Sequence, residues 1–271
     1  MKEQYLATLN TKANSAIEFV QWPVNSQLES TDLDNKVLGL QTTRVSPNKS
    51  ASENNTAYNH FNLGLHVGDF TKQVEHNRLC LQELLPSKTR IQWLEQVHGN
   101  SVAEITSVTN QVIIGDAMVT REKNIALAIM TADCLPILLI SNQGDEIAAI
   151  HGGWRPLAAN IISNTVNKMH TAADKIYAWL GPCIGKEAFE VGGEVQMAFV
   201  EQDNIFSQAF SKQGNGKYLA NLHEIATLQL NSLGIKQIST LSECTYSEPK
   251  KYYSYRKTPI TGRMATIIAL L

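Results

Sequence analysis

The sequence predicts an α+β protein, a layered mixed β-sheet sandwich flanked by helices, and three observations carry that reading. Short apolar runs bounded by turn-forming residues recur along the chain, as the strands of buried sheets do. Helical spacing is confined to two stretches. No internal repeat or second shift of composition divides the 271 residues, so a single domain over 1–271 is expected. Many strands with few helices exclude a bundle. An α/β arrangement satisfies the same pattern, because periodicity does not fix the order of strands in a sheet.

Residues 1–35 are polar and rich in Asn, Ser and Asp, an irregular lead-in around one apolar piece, Ile17–Val20. Val37–Thr43 reads as a strand, and residues 45–60 form the least hydrophobic window, an exposed loop. Strands are expected at Arg90–Val97, Ile125–Met130, Leu135–Ile140, Glu146–Ile150, Lys175–Leu180 and Gln237–Leu241, with another apolar strand after Arg263. Leu157, Ile161, Ile162, Val166 and Met169 recur near a 3.6-residue period, which predicts a helix over Pro156–His170; Leu219–Leu230 repeats the pattern.

Composition narrows the classes of function. A net charge of −2 and the absence of a basic cluster give no electrostatic grip on nucleic acid or an anionic membrane. The opening MKEQYLATLN lacks a charged-then-apolar signal segment, and runs such as Leu135–Ile140 are far too short to span a bilayer. The four cysteines are scattered without a CxxC, which fits free thiols in a reducing cytoplasm. A small-molecule substrate and a monomer or small homo-oligomer are expected.

The densest chemistry lies between Thr131 and Ile161. Asn142-Gln143-Gly144-Asp145 reads as a hairpin turn between two strands. With Ser141 facing Glu146, the register places Pro136 opposite His151, and Cys134 falls on the same face two positions from Pro136. Such diagonal neighbours lie within reach of each other, so local pairing alone brings a thiol and an imidazole together. Gly152-Gly153 permits close backbone approach, and Pro156 suits the first turn of a helix. Its free N–H groups, with Arg155 beside them, can form an anion pocket. Taken alone, these residues read first as a tight turn and a solvated charge. A converging Cys and His can be a nucleophile and base, two metal ligands, or packed side chains. A third ligand would favour metal, and His98, also a His before Gly at a strand end, is one of seven histidines that can supply it.

At this point the chain resembles the laccase-domain family, also called multicopper polyphenol oxidoreductase-like, peptidoglycan-editing-factor-like or laccase-domain purine nucleoside phosphorylases. The matching stretches are TTR (42–44), NLGLHVGD (62–69), NR (77–78), QVHG (96–99), ADC (132–134), HGGWR (151–155), GPCIG (181–185), FEVGGEV (189–195) and YSYRK…TGRMA (253–265). They run in family order over nearly the whole chain. Departures are Val45-Ser46-Pro47 in place of a glycine turn, Lys186-Glu187-Ala188 where some relatives carry a Pro-Cys pair, and Lys257 after Arg256 in place of a second Arg. Cys183 is therefore not counted as a ligand.

The resemblance implies a zinc site formed by His98, Cys134 and His151, with copper the lesser candidate. Three protein ligands leave a fourth position for water or substrate, as in catalytic zinc sites. It also implies phosphorolysis of adenosine, inosine, guanosine and methylthioadenosine, plus adenosine deamination. Arg155 and Arg44 are candidate phosphate contacts; Asn62, His66, Arg256 and Arg263 are candidate substrate contacts. Asn62 can equally cap a turn, His66 lie on the surface, and Arg263 pair with a carboxylate. Asp133 is a candidate catalytic base or a carboxylate orienting a metal-bound histidine, and a structural hydrogen bond explains it equally.

Other chemistries fit less well. A true multicopper oxidase needs a histidine-rich cluster, and this chain has seven histidines and no HxH pair. Pro182-Cys183 lacks the second cysteine of the HxE…PCxxC deaminases. A metal-free hydrolase with Cys134 as nucleophile and His151 as base, acting on amide-linked cell-wall precursors, remains open, as does a non-enzymatic module that senses nucleosides.

Overall fold

Strands buried on both faces dominate the computed structural model, which describes residues 15–23, 33, 35–47 and 57–271. One mixed sheet has five strands, β1 (Ile17–Phe19), β2 (Val37–Thr42), β3 (Arg90–Gln92), β6 (Ile125–Thr131) and β14 (Met264–Leu270), in the order β1-β2-β14-β6-β3. A second has six, β4 (Val102–Glu104), β5 (Ala117–Thr120), β7 (Leu135–Ser141), β8 (Ile147–Gly152), β9 (Ile176–Leu180) and β13 (Gln237–Thr240), ordered β13-β9-β7-β8-β5-β4. The pairs β3/β6, β4/β5 and β9/β13 are parallel and the other pairs in these sheets antiparallel. A small third sheet joins β10 (Glu190–Val191), β11 (Phe210–Lys212) and β12 (Tyr218–Ala220).

Alternation assigns the layers. Leu127 and Ile129 of β6 and Ile268 of β14 share one core with Leu138 and Ile140 of β7 and Ala149 of β8, so the two large sheets pack face to face. Ala126 and Ala128 point the other way, onto Cys80 and Leu81 of helix α1 (Thr71–Glu83). Leu135, Ile137 and Leu139 point away from the sheet interface, onto α2 (Trp154–Ala158), α3 (Ile161–Lys168), α4 (Gly193–Val200) and α5 (Leu222–Ser232). A strand covered on both faces reads as an unbroken apolar run, which is why β6 and β7 are buried at every position. The result is the layered mixed sandwich flanked by helices that the sequence predicts. Among the described residues no helix is long and apolar enough to cross a membrane.

Several elements differ from the expectation. The lead-in is not wholly irregular, because Ile17–Phe19 pairs with Leu40–Thr42. The expected loop 45–60 lies largely outside the described residues, as do residues 1–14 of the lead-in. The strand expected over Arg90–Val97 leaves its ladder after Gln92: Glu95 exchanges backbone hydrogen bonds with Ile113 and Gly115 instead, and the N–H groups of Val97, His98 and Gly99 then turn to the Asp116 carboxylate. The helix expected over Pro156–His170 is two helices broken at Asn160, which takes φ +62°, a conformation asparagine tolerates better than most residues. Tyr218–Ala220 is a strand, and the following helix starts where Asn221 accepts the Glu224 N–H. Helix α1 escapes the pattern because its inward face is only Val74, Asn77, Cys80 and Leu81.

Candidate metal centre

The β7–β8 hairpin builds the first half of the site. Gly144 takes φ +68°, Ser141 Oγ donates to Asp145 Oδ1 at 2.6 Å, and it accepts the N–H groups of Asp145 and Glu146. Ser141 N–H then bonds Glu146 O at 2.9 Å. From that closure the register runs to Pro136 opposite His151, as the local pairing predicts. Cys134 sits just before β7, after Asp133, whose φ of +95° turns the chain sharply. His98 arrives from a different segment, at a turn where its own φ is +59°.

His98, Cys134 and His151 converge. One donor atom from each lies within 4.8 Å of the others, with Cys134 Sγ 3.8 Å from His98 Nε2. The two imidazoles meet edge to face, centroids 4.7 Å apart. One thiol and two imidazoles are a borderline-soft donor set suited to zinc, and the separations fall within the span that bonds of ~2.0–2.3 Å bridge. The two glycines make the approach possible. A Cβ on Gly153 would stand 3.1 Å from Cys134 Sγ and 3.3 Å from the His98 ring, and one on Gly152 would stand 2.7 Å from Leu135 O. Among the described residues this is the one group of three or more His, Cys, Asp and Glu side chains close enough to share an ion.

Burial opposes charge on both Cys134 and His151, yet each serves as the other's counter-ion. The thiol is held below its usual value and the imidazole above it, the latter aided by Asp116. Asp116 is fully buried and accepts from His151 Nδ1 at 2.8 Å. Burial pushes its carboxyl up, but His151 and the N–H groups of Gly99 and His98 bring it below the ordinary aspartate value.

A cavity of about 400 Å³ opens over the three side chains. Arg155, Arg256, Arg263 and His66 line it, together with the apolar or aromatic Trp154, Ile184, Phe189, Leu222 and Tyr255. Burial, with Arg263 and Arg78 nearby, holds the His66 imidazole below its usual value.

Residues 43–271 match the family model described as multi-copper polyphenol oxidoreductase laccase. The chain belongs to this family. It is 44% identical over 216 residues to Purine nucleoside phosphorylase YfiH of Escherichia coli (strain K12), covering 79% of this chain and 88% of that protein. With Purine nucleoside phosphorylase PA4543 of Pseudomonas aeruginosa the identity is 39% over 223 residues, covering 82% and 90%. Among solved structures, Neisseria meningitidis protein NMB0706 superposes with a TM-score of 0.84 at 35% identity, over 94% of this chain and 99% of that one. YlmD from Geobacillus stearothermophilus gives 0.77 at 27% identity, over 87% and 92%.

In this laccase-family chain the expected site residues divide. His66, His98, Asp133, Cys134, His151, Arg155, Arg256 and Arg263 all line the cavity. Asn62 and Arg44 do not. Asn62 is fully buried, accepting the N–H groups of Gly64 and Arg263 and donating to Asp69, so it ties a loop rather than facing a ligand. The Arg44 guanidinium donates to Pro249 O at 2.8 Å and lies over the Tyr253 ring. Asp133 does not orient a histidine: its carboxylate accepts from Thr245 Oγ1 and Arg256 N–H, each at 2.6 Å, pinning two later loops to the cavity. The histidine's partner is Asp116, which sequence reasoning missed; its one signal is a lone carboxylate between Ile113-Ile114-Gly115 and Ala117-Met118-Val119. Arg155 lies over its neighbour Trp154, 4.4 Å from the ring centroid.

Proposed function

We propose that the chain is a zinc-dependent purine nucleoside phosphorylase acting on adenosine, inosine, guanosine and methylthioadenosine in the cytoplasm, with adenosine deamination as a second activity. The observation that carries this reading is a single cavity lined by three arginines and by aromatic and apolar surface beside the His–Cys–His cluster. The names of the Escherichia coli and Pseudomonas aeruginosa relatives support it.

In phosphorolysis a phosphate oxygen bonds to ribose C1′ while the C1′–N9 bond breaks. Its electron pair leaves with the purine, which takes up a proton. Arg155, Arg256 and Arg263 supply the positive charge that binds the phosphate and offsets charge redistributed in the transition state. Arg256 is aimed by its own backbone, since its N–H is fixed on Asp133 and its guanidinium donates to Ala188 O and Glu190 O. Phe189, Leu222 and Tyr255 offer surface to a purine ring. Zinc held by His98, Cys134 and His151 would supply Lewis acidity beside this cavity. Zinc is preferred to copper because one three-donor cluster does not furnish the several centres of a multicopper oxidase. In deamination, water adds at purine C6 and ammonia leaves.

Incubating the zinc-loaded protein with adenosine, with and without phosphate, tests the assignment. Adenine and ribose-1-phosphate that appear only with phosphate support phosphorolysis, and inosine reports deamination. If neither product forms, the proposal is overturned. One observation favours a second reading: Cys134, His151 and Asp116 follow one another as nucleophile, base and orienting carboxylate do in amide hydrolases. Replacing His98 with Ala separates the two, since a metal enzyme loses its metal and activity and a Cys–His hydrolase keeps its rate.

A further inference from the structure

Asp116 has no solvent exposure and a full set of partners. Oδ1 takes His151 Nδ1 at 2.8 Å and the His98 N–H at 3.0 Å; Oδ2 takes the Gly99 N–H at 2.6 Å and the Val97 N–H at 3.3 Å. We propose that Asp116 is the positioning residue of the centre: one carboxylate selects the nitrogen that His151 presents and holds the turn that delivers His98. The inference rests on reading His98, Cys134 and His151 as metal ligands and goes beyond it by naming what makes the two histidines competent.

An ionised carboxylate only accepts hydrogen bonds, so His151 Nδ1 must carry a hydrogen and the lone pair left for a ligand is on Nε2. The backbone reinforces this, with His151 N–H donating to Asp116 O at 2.7 Å. On the other side, three consecutive N–H groups converge on the same carboxylate. They come from the left-handed turn at His98, φ +59°, a conformation that costs energy in a residue with a Cβ and that these hydrogen bonds hold in place. Asp133, the carboxylate next to Cys134 in sequence, has neither contact.

Asparagine at this position makes the point sharply, because it offers one oxygen where the site uses two. With its oxygen toward Gly99 and Val97, the amide N–H₂ faces His151 Nδ1 and favours the Nε2–H tautomer, removing the ligand lone pair. With its oxygen toward His151, the N–H₂ opposes the backbone donors of the His98 turn. Either orientation spoils one histidine.

The test uses full-length wild type and Asp116→Asn, stripped of metal and reloaded with Co²⁺, followed by visible absorption and chelator competition. Wild type is expected to show a thiolate-to-cobalt charge-transfer band. The variant, with unchanged far-ultraviolet circular dichroism, should bind on the order of 10–100-fold more weakly with altered d–d bands. Wild-type affinity and spectrum in the variant overturn the proposal. A wild type that takes up no Co²⁺ instead overturns the metal reading, and the proposal falls with it. Should Asp116→Asn fail to fold, ¹⁵N-histidine correlation spectra of zinc-loaded wild type decide, with His151 identified by its loss in His151→Gln: an Nδ1–H tautomer supports the proposal and an Nε2–H tautomer overturns it.

Discussion

Gly153 shows how little room the site leaves at the scale of one residue. A methyl group there would crowd both Cys134 Sγ and the His98 ring, so Gly153→Ala should weaken zinc binding by on the order of tenfold while the protein stays folded, measured by competition with a chromophoric chelator. Glu146, at the far end of the same hairpin, does structural work. It is almost fully buried and accepts from the N–H groups of His170 and Thr171, the Thr171 hydroxyl and Arg121. Burial pushes its carboxyl up, but these donors outweigh burial and hold it below glutamate's ordinary 4.5. A native pKa depressed in this way stabilises the fold fully above the unfolded-state value. That contribution is lost as pH falls through the native one, so its window lies below about pH 4.5. Glu146→Gln should lower unfolding stability by about 1.5–3 kcal/mol at pH 7, with the difference from wild type shrinking in acid, as urea titrations at pH 7 and 3.5 would show. An equal difference at both pH values would contradict the assignment.

Elements set by local chemistry were the most legible in the sequence. The β7–β8 register follows from a four-residue turn and two apolar runs, and it alone brings Cys134 toward His151. The break between α2 and α3 was not legible, because Leu157, Ile161 and Ile162 keep their helical spacing across it and all face the same core. Asn160→Val should therefore cost about 1–2 kcal/mol, since a β-branched residue resists φ of +62°, whereas Asn160→Gly should change the denaturation midpoint little. Equal losses for both would show that the asparagine side chain, not its backbone, matters. His98 and Asp116 belong to the same lesson. Each acts through a turn, Val97–Gly99, whose path is fixed by a carboxylate far along the chain. No spacing rule encodes such a contact, so only family resemblance points to His98, and Asp116 shows in the sequence as no more than a lone carboxylate between apolar runs.

The whole molecule is a sandwich whose inner core holds both sheets in register with the cavity. Leu127 is fully buried there with Leu138 and Ile268, so Leu127→Ala should lower stability by about 2–5 kcal/mol, read from urea denaturation. A loss below 1 kcal/mol would mean that the sheets repack freely. Layering was legible because strands covered on both faces read as continuous apolar runs, while the order of strands was not, since it depends on long crossovers that leave no local mark. The three donors come from a turn after β3, the approach to β7 and the end of β8, and only the complete fold joins them. The most direct measurement is therefore zinc stoichiometry by elemental analysis of metal-stripped, zinc-reloaded protein, wild type beside His98→Ala, Cys134→Ala and His151→Ala. One zinc per wild-type chain, and loss of tight binding in each folded variant, is the predicted result; a wild type that retains no zinc, or variants that retain it fully, would contradict the metal centre.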